Sequence, residues 1–314
     1  MRRVSLGLLL TVALLPATTA WAGDIQPNDD ATIYGNLHLG VYDDMFVNTN
    51  PMLHQLGLSG GGKVAIEPSQ FPIGLQLDAE DKYSNSSLQS GTTANQGSQY
   101  DALLVAHGTF EVNDQLKLGV FAGYEDVNLD LTSISSPLFN FHGATNLSRA
   151  ASDYTYMSIG GEALYAFTDD NWAQFRLGFV KPTSGSVNAT DRTTSVTSSA
   201  TLDVSQYKGF EVGIGARFGL FDHFSLRTDA NFISVIDGTG AATNDLNALV
   251  TGQYAFADSP FAIYSQVGYE KFFDASASQD TLYTRGGVTW SFGGPSQTTK
   301  NKLFRSAGFG GVFN

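Results

Sequence analysis

The chain is 314 residues long with a formal net charge of -13, from 17 Lys and Arg against 30 Asp and Glu. So acidic a balance excludes nucleic acid as a partner, because a phosphate backbone is gripped by a basic face. No cysteine excludes a disulfide framework and thiolate chemistry, and 34 glycines with 12% aromatics at only 15% charged residues exclude a disordered chain and fit a strand-rich fold.

The first predicted element is a leader. Arg2 and Arg3 precede a mostly apolar stretch from Leu6 to Leu15, and Ala20-Trp21-Ala22 forms a small-residue cleavage box. This order predicts a secretory signal peptide over residues 1–22, which takes no part in the fold. The apolar stretch is interrupted by Pro16 and is short for a membrane anchor. Its removal takes the net charge from -13 to -15, because the leader carries two arginines. The mature chain, Gly23 to Asn314, has no long uncharged apolar run of the kind a membrane helix needs.

From residue 31 onward the apolar period is two. Ile33, Leu37, Leu39 and Val41 share one parity, while Tyr34, Asn36 and His38 share the other. Side chains alternate across a strand, so such a run has one apolar and one polar face. Twelve runs follow this habit, near 31–42, 54–67, 72–83, 99–112, 116–127, 153–168, 172–181, 207–221, 224–235, 246–256, 261–271 and 281–292. Most have the roughly 9–11 residues that a tilted strand needs to cross a bilayer.

The connections alternate between short and long. Asn113-Asp114-Gln115, Asp169-Asp170-Asn171, Asp222-His223 and Asp258-Ser259-Pro260 are tight turns of turn-forming residues. Between them lie polar stretches at 84–98, 128–152 and 182–206, expected as long loops. Short turns at one end, long loops at the other and an even strand number are the layout of an outer-membrane barrel. The fold class expected is therefore all-β: a transmembrane antiparallel up-and-down β-barrel of 12 strands over residues 23–294, with both termini periplasmic. Phe110, Tyr165, Phe167, Trp172, Phe218, Phe224, Tyr254, Phe256, Phe261, Trp290 and Phe292 fall near the short turns or the last strand end, and are expected as an aromatic girdle of mostly outward parity. A soluble sandwich would place the same aromatics in its core.

The opening strand, Thr32-Ile33-Tyr34-Gly35-Asn36-Leu37, resembles the first strand of the general porins, and Leu56-Gly57-Leu58-Ser59-Gly60-Gly61-Gly62-Lys63-Val64 resembles their glycine-rich second strand. The whole mature chain resembles a smaller set of alphaproteobacterial outer-membrane proteins. The resemblance implies passive diffusion of small polar solutes, a location in the outer membrane of a Gram-negative bacterium, contact with outer-membrane lipids and lipopolysaccharide, and a homo-oligomer. Two features depart from it. General porins have sixteen strands, and barrels usually end on an aromatic residue of the last strand. Here Trp290-Ser291-Phe292 looks like that strand, yet residues 295–314 follow. That tail is expected as a disordered periplasmic extension, ahead of entry into the barrel from below or a miscounted strand.

If the apolar parity faces lipid, the other lines the interior. A basic residue facing lipid at mid-membrane costs about 2–4 kcal/mol, and Lys63, Lys82, Lys117, Arg176, Arg217, Arg227 and Arg285 all share the polar parity. The expected channel-lining set is Lys63, Asp78, Glu80, Asp101, His107, Glu125, Glu162, Arg176, Glu211, Arg217, Arg227, Asp229, Glu270 and Arg285. Carboxylates dominate the third to sixth runs, whereas the arginines sit on the seventh to ninth and twelfth. Opposed walls of this kind would set a field across a pore, with Arg217 and Arg227 in a basic wall admitting anions. The alternative is local pairing, as of Glu211 with Arg217 or Arg227 with Asp229, in a filled barrel. Gly209, Gly213, Gly215 and Gly219 leave space along one strand.

Chemistry is less well supported. His54 lies opposite Asp43 and Asp44 at the outer rim, the type of pair with which omptin-like proteases activate water. His38 with Ser59 on adjacent strands, or the inward His107, is the candidate for a phospholipase-like pair, and no local signature binds these residues together. Five scattered histidines offer no metal spacing. The expectation is a passive channel for small hydrophilic solutes or ions, with no catalytic residue, metal or cofactor. An outer-membrane hydrolase and a closed structural barrel are the alternatives.

Overall fold

Alternating sequences of this length satisfy their backbone groups only by pairing with neighbours, and in lipid the pairing must close. The computed structural model describes residues 31–47, 53–68, 70–90, 93–132, 147–191, 195–201, 203–274, 278–293, 303–308 and 311–312. The predicted leader lies outside them. Among the described residues no helix is long and apolar enough to cross a membrane.

The strands are β1 (Ala31–Phe46), β2 (Leu53–Pro68), β3 (Ile73–Ser90), β4 (Thr93–Glu111), β5 (Leu116–Thr132), β6 (Leu147–Ala166), β7 (Trp172–Asp191), β8 (Thr197–Thr201), β9 (Lys208–Phe221), β10 (Phe224–Ile236), β11 (Ala242–Ala255), β12 (Phe261–Phe273) and β13 (Ser278–Phe292). Each barrel strand pairs antiparallel with the next, and β13 closes onto β1 with Leu37 opposite Trp290 and Tyr42 opposite Arg285. The result is a closed, up-and-down barrel of 12 strands. β8 pairs with the upper part of β7, Ser186 to Thr190, on the edge that β9 takes lower down.

The short turns stand where the sequence puts them. Asn113 Oδ1 accepts from the Gln115 and Leu116 amides at 2.9 Å each, and His223 and Asp258 take left-handed φ of 69° and 54° to reverse the chain. The opposite end differs from expectation. β3 and β4 stay paired to Ser90 opposite Thr93, so residues 84–98 are largely strand, as are 182–191 of β7. In the stretch 128–152, residues 128–132 and 147–152 are strand, and the rest lies outside the described residues. Beyond the bilayer no lipid demands an apolar face, so Ser, Thr and Asn can carry both faces of a paired strand. At 20 residues, β6 and β7 each reach about 65 Å along the strand, roughly 50 Å after tilting, against a hydrocarbon core of ~30 Å.

Parity decides the rest. Along β12, Ala262, Tyr264 and Gln266 are buried, whereas Phe261, Ile263 and Val267 are exposed. The exposed set recurs around the wall, through Leu39, Leu58, Leu75, Val120, Ile159, Phe179 and Ile214, with Phe179 as much as 74% exposed. A continuous apolar belt of this extent far exceeds the patches that soluble monomers tolerate, and the charges are on the other face. The protein is an outer-membrane barrel. Phe110, Tyr165, Phe167, Phe218, Tyr254, Phe256 and Phe261 are exposed at the short-turn end, as an interfacial girdle would be, and Phe224, Trp290 and Phe292 are half-buried there. Trp172 is a correction. It is 4% exposed and points inward, because it shares parity with Gln174 and Arg176.

Candidate functional site

The interior is built from the buried parity. Lys63, Asp78, Glu80, Asp101, His107, Glu125, Glu162, Arg176, Glu211, Asp229 and Arg285 are all buried, and Arg217, Arg227 and Glu270 are half-buried. Several of them pair locally, as in the alternative to two opposed walls. A buried charge without a partner is costly, so cations are drawn to the nearest carboxylate. Lys63 Nζ lies 3.2 Å from Asp78 Oδ2, Arg176 Nε 2.8 Å from Glu211 Oε1, and Arg227 Nε 3.3 Å from Asp229 Oδ2. Of the local pairs expected as the alternative, Arg227 with Asp229 is present. Glu211, however, is taken by Arg176 of the neighbouring strand β7. The Arg227 guanidinium also lies 4.8 Å above the Trp172 ring, so its charge is committed twice.

Higher up, Lys82 Nζ reaches Asp44 Oδ2 at 2.6 Å and sits 4.6 Å above the Tyr42 ring. Tyr42 and Tyr283 lie flat across Gly57 and Gly268 on the neighbouring strands, where any Cβ would collide with the ring. Inward aromatics can therefore lie along the wall and leave the axis open. Apolar side chains share this interior: Leu103, Val105 and Phe121 form one cluster, and Val180, Ile233 and Val235 another.

The lower lumen is occupied by the chain's own tail. Phe304, Arg305 and Ser306 are buried inside the barrel, which differs from the disordered periplasmic extension expected of residues 295–314. Gln76 accepts from the Phe304 amide and donates to its carbonyl, both at 2.9 Å, and Lys63 Nζ donates to the same carbonyl at 3.1 Å. Gln174 repeats this on Arg305, accepting from its amide at 3.0 Å and donating to its carbonyl at 3.3 Å. The Phe304 ring stacks on His107, 6.1 Å apart and 7° from parallel, and packs with Leu164, Ala166 and Trp172. Arg305 forms an ion pair with Asp229, and Ser306 Oγ donates to Asp78 Oδ2 at 2.6 Å. His107 completes the seat, with Nε2 3.2 Å from Ser306 Oγ and Nδ1 2.6 Å from Glu162 Oε1.

One cavity of about 20 Å³ borders Arg305, Ser306, Gly213 and Gly215, room for about one water. The bare β9 glycines thus make room beside the tail, and Gly209 receives Val235 in the same way. Beyond Ser306, the short strands β14 (Ala307–Gly308) and β15 (Gly311–Val312) pair with each other, and β15 lies near β10 and β11.

No family model and no curated protein matches the sequence. Solved structures of similar course include the translocator domain of the autotransporter NalP from Neisseria meningitidis, at 12% identity over 93% of this chain and 100% of that one, with a TM-score of 0.48. The toluene transporter TodX of Pseudomonas putida is 10% identical over 90% of this chain and 93% of its own, with a TM-score of 0.45. Neither likeness speaks to a solute or a reaction.

The residues considered for hydrolysis part company. His54 Nδ1 lies 3.2 Å from Asp43 Oδ2 at the outer rim, as the sequence suggests. His38 is buried within the lumen, where Nε2 contacts Glu80 Oε2 at 2.8 Å in place of Ser59. His107 serves the tail. Among the described residues no group of three or more His, Asp or Glu is placed to hold a metal.

Proposed function

We propose that the protein is a passive outer-membrane channel for small hydrophilic solutes or ions, closed while Phe304 to Ser306 are seated. It carries no chemical step and no cofactor, and its outer wall contacts outer-membrane lipids and lipopolysaccharide. One observation carries this reading: what fills the centre of a charged lumen is a terminal segment, and not the wall. Eight strands can be filled by their own side chains and sixteen leave water; twelve lie between, where a seated segment can decide whether a narrow pore is closed. Water and the lumen charges can replace its hydrogen bonds and ion pair once it leaves, while the Phe304 ring gives up apolar contacts that they do not replace.

The test is single-channel conductance of the full chain against Phe304→Ala/Arg305→Ala. Wild type should be closed for most of the time with brief openings, and the variant open for most of it. Silence from both, in correctly folded barrels, would favour a closed structural barrel. A second reading, an outer-membrane hydrolase, rests on the His54–Asp43 pair. Turnover of a peptide or phospholipid substrate that disappears in His54→Ala would establish it.

A further inference from the structure

The tail is gripped by its backbone as firmly as by its side chains. Gln76 engages both polar groups of the Phe304 main chain, and Gln174 both of Arg305. An amide that accepts from and donates to one residue reproduces the pairing of a strand edge, the mode by which extended peptides are held elsewhere. Such a grip ignores the side chain that it passes. Selection falls to three subsites around it: His107 and Trp172 for a ring, Asp229 for a guanidinium, and Asp78 for a hydroxyl. A lumen that only needed filling would not require paired main-chain contacts on consecutive residues.

We propose that the lower lumen is a peptide-binding site, selective for short extended peptides in which an aromatic residue is followed by a cationic one. The tail occupies it as an internal ligand. This rests on the channel reading and names its solute class. Tethering places the tail at an effective concentration on the order of mM, so a free peptide competes poorly until the tail is weakened.

The test is fluorescence anisotropy with a labelled peptide of this chain's residues 301–308, added to the full-length protein in micelles. Phe304→Ala/Arg305→Ala, changed only in the tail and checked for heat-resistant barrel mobility on a gel, should bind the probe at least ~10-fold more tightly than wild type. Arg305→Gln, a milder change, should fall between them. A probe with Glu in place of its Arg should not bind, and adding Asp229→Asn should weaken the normal probe. A folded variant that ignores the probe, or binds the Glu probe equally well, overturns the site. Conductance of the same samples separates the two readings. An opened channel that ignores peptide removes the site and leaves the channel, whereas bound peptide with a silent bilayer does the reverse.

Discussion

Phe304→Ala is the sharpest perturbation of the seated tail. The ring is fully buried between His107, Leu164, Ala166 and Trp172, and its loss leaves a hole that a closed barrel wall cannot collapse into. Truncating a buried Phe costs about 3–5 kcal/mol; at the lower end, about 3 kcal/mol moves the docked-to-undocked ratio roughly 150-fold. The barrel wall makes no other use of the ring, so the cost should appear as undocking with little loss of barrel stability. The chain has three tryptophans, of which Trp21 lies in the predicted leader, so the expected mature chain carries Trp172 and Trp290. Trp172 is buried under Arg227 and beside Phe304, so acrylamide should quench it poorly in wild type and readily in the variant. Trp290, paired at its ring with Phe292 near the short-turn end, supplies an unchanged background. Quenching that is identical in the two proteins would mean that the ring is not seated there, and the account of the closed lumen would fall with it.

Other outcomes follow from the same geometry. Arg305→Glu sets a carboxylate against buried Asp229; breaking such a pair costs about 3–5 kcal/mol, so the tail should be released, and Arg305→Glu/Asp229→Arg should reseat it by the same Trp172 quenching. Ile159→Arg, on the lipid face of β6, should lower barrel stability in vesicles by about 2–4 kcal/mol in denaturant titration; no change would place that face out of the bilayer. His54→Ala at the outer rim should leave conductance as it was, since the pair with Asp43 stands away from the tail. In the loop after β10, Asp237 accepts from the Thr239 hydroxyl and from the Thr239 and Ala241 amides, and the Thr239 side-chain bond foremost holds its carboxyl below the usual carboxylate range. A depressed folded-state value means that the turn's stabilisation is present above the unfolded value and lost as pH falls through the folded one. Protection of the Thr239 and Ala241 amides, measured against their intrinsic exchange rates, should therefore persist at pH about 4 and be lost only below it.

Most of the barrel is legible because lipid and water impose a strict period of two. Lys63, Asp78, His107 and Arg176 are placed inside by parity alone, and the turn at Asn113 by its side-chain chemistry. The strand extensions at 84–98 and 182–191 are not legible, since polar residues on both faces look the same in a paired strand above the membrane as in a loop. Trp172 is misread when nearness to a turn is allowed to outweigh parity with Gln174. The tail is hardest. Leu303-Phe304-Arg305-Ser306 has no period, and its partners, Gln76, Gln174 and Asp229, lie far away in sequence. The one signal is local: an aromatic and an arginine together, just short of a glycine-rich end.

The position of that segment has a consequence for biogenesis. Only eleven residues separate Phe292, which ends the last strand, from Phe304. An unfolded chain brings points about ten residues apart together in roughly 10–100 ns, orders of magnitude faster than any large β-structure assembles. On the proposed channel reading, the tail would seal the newly made barrel almost as soon as β13 has found β1, and the cell envelope would be spared an interval of leakage while the protein matures.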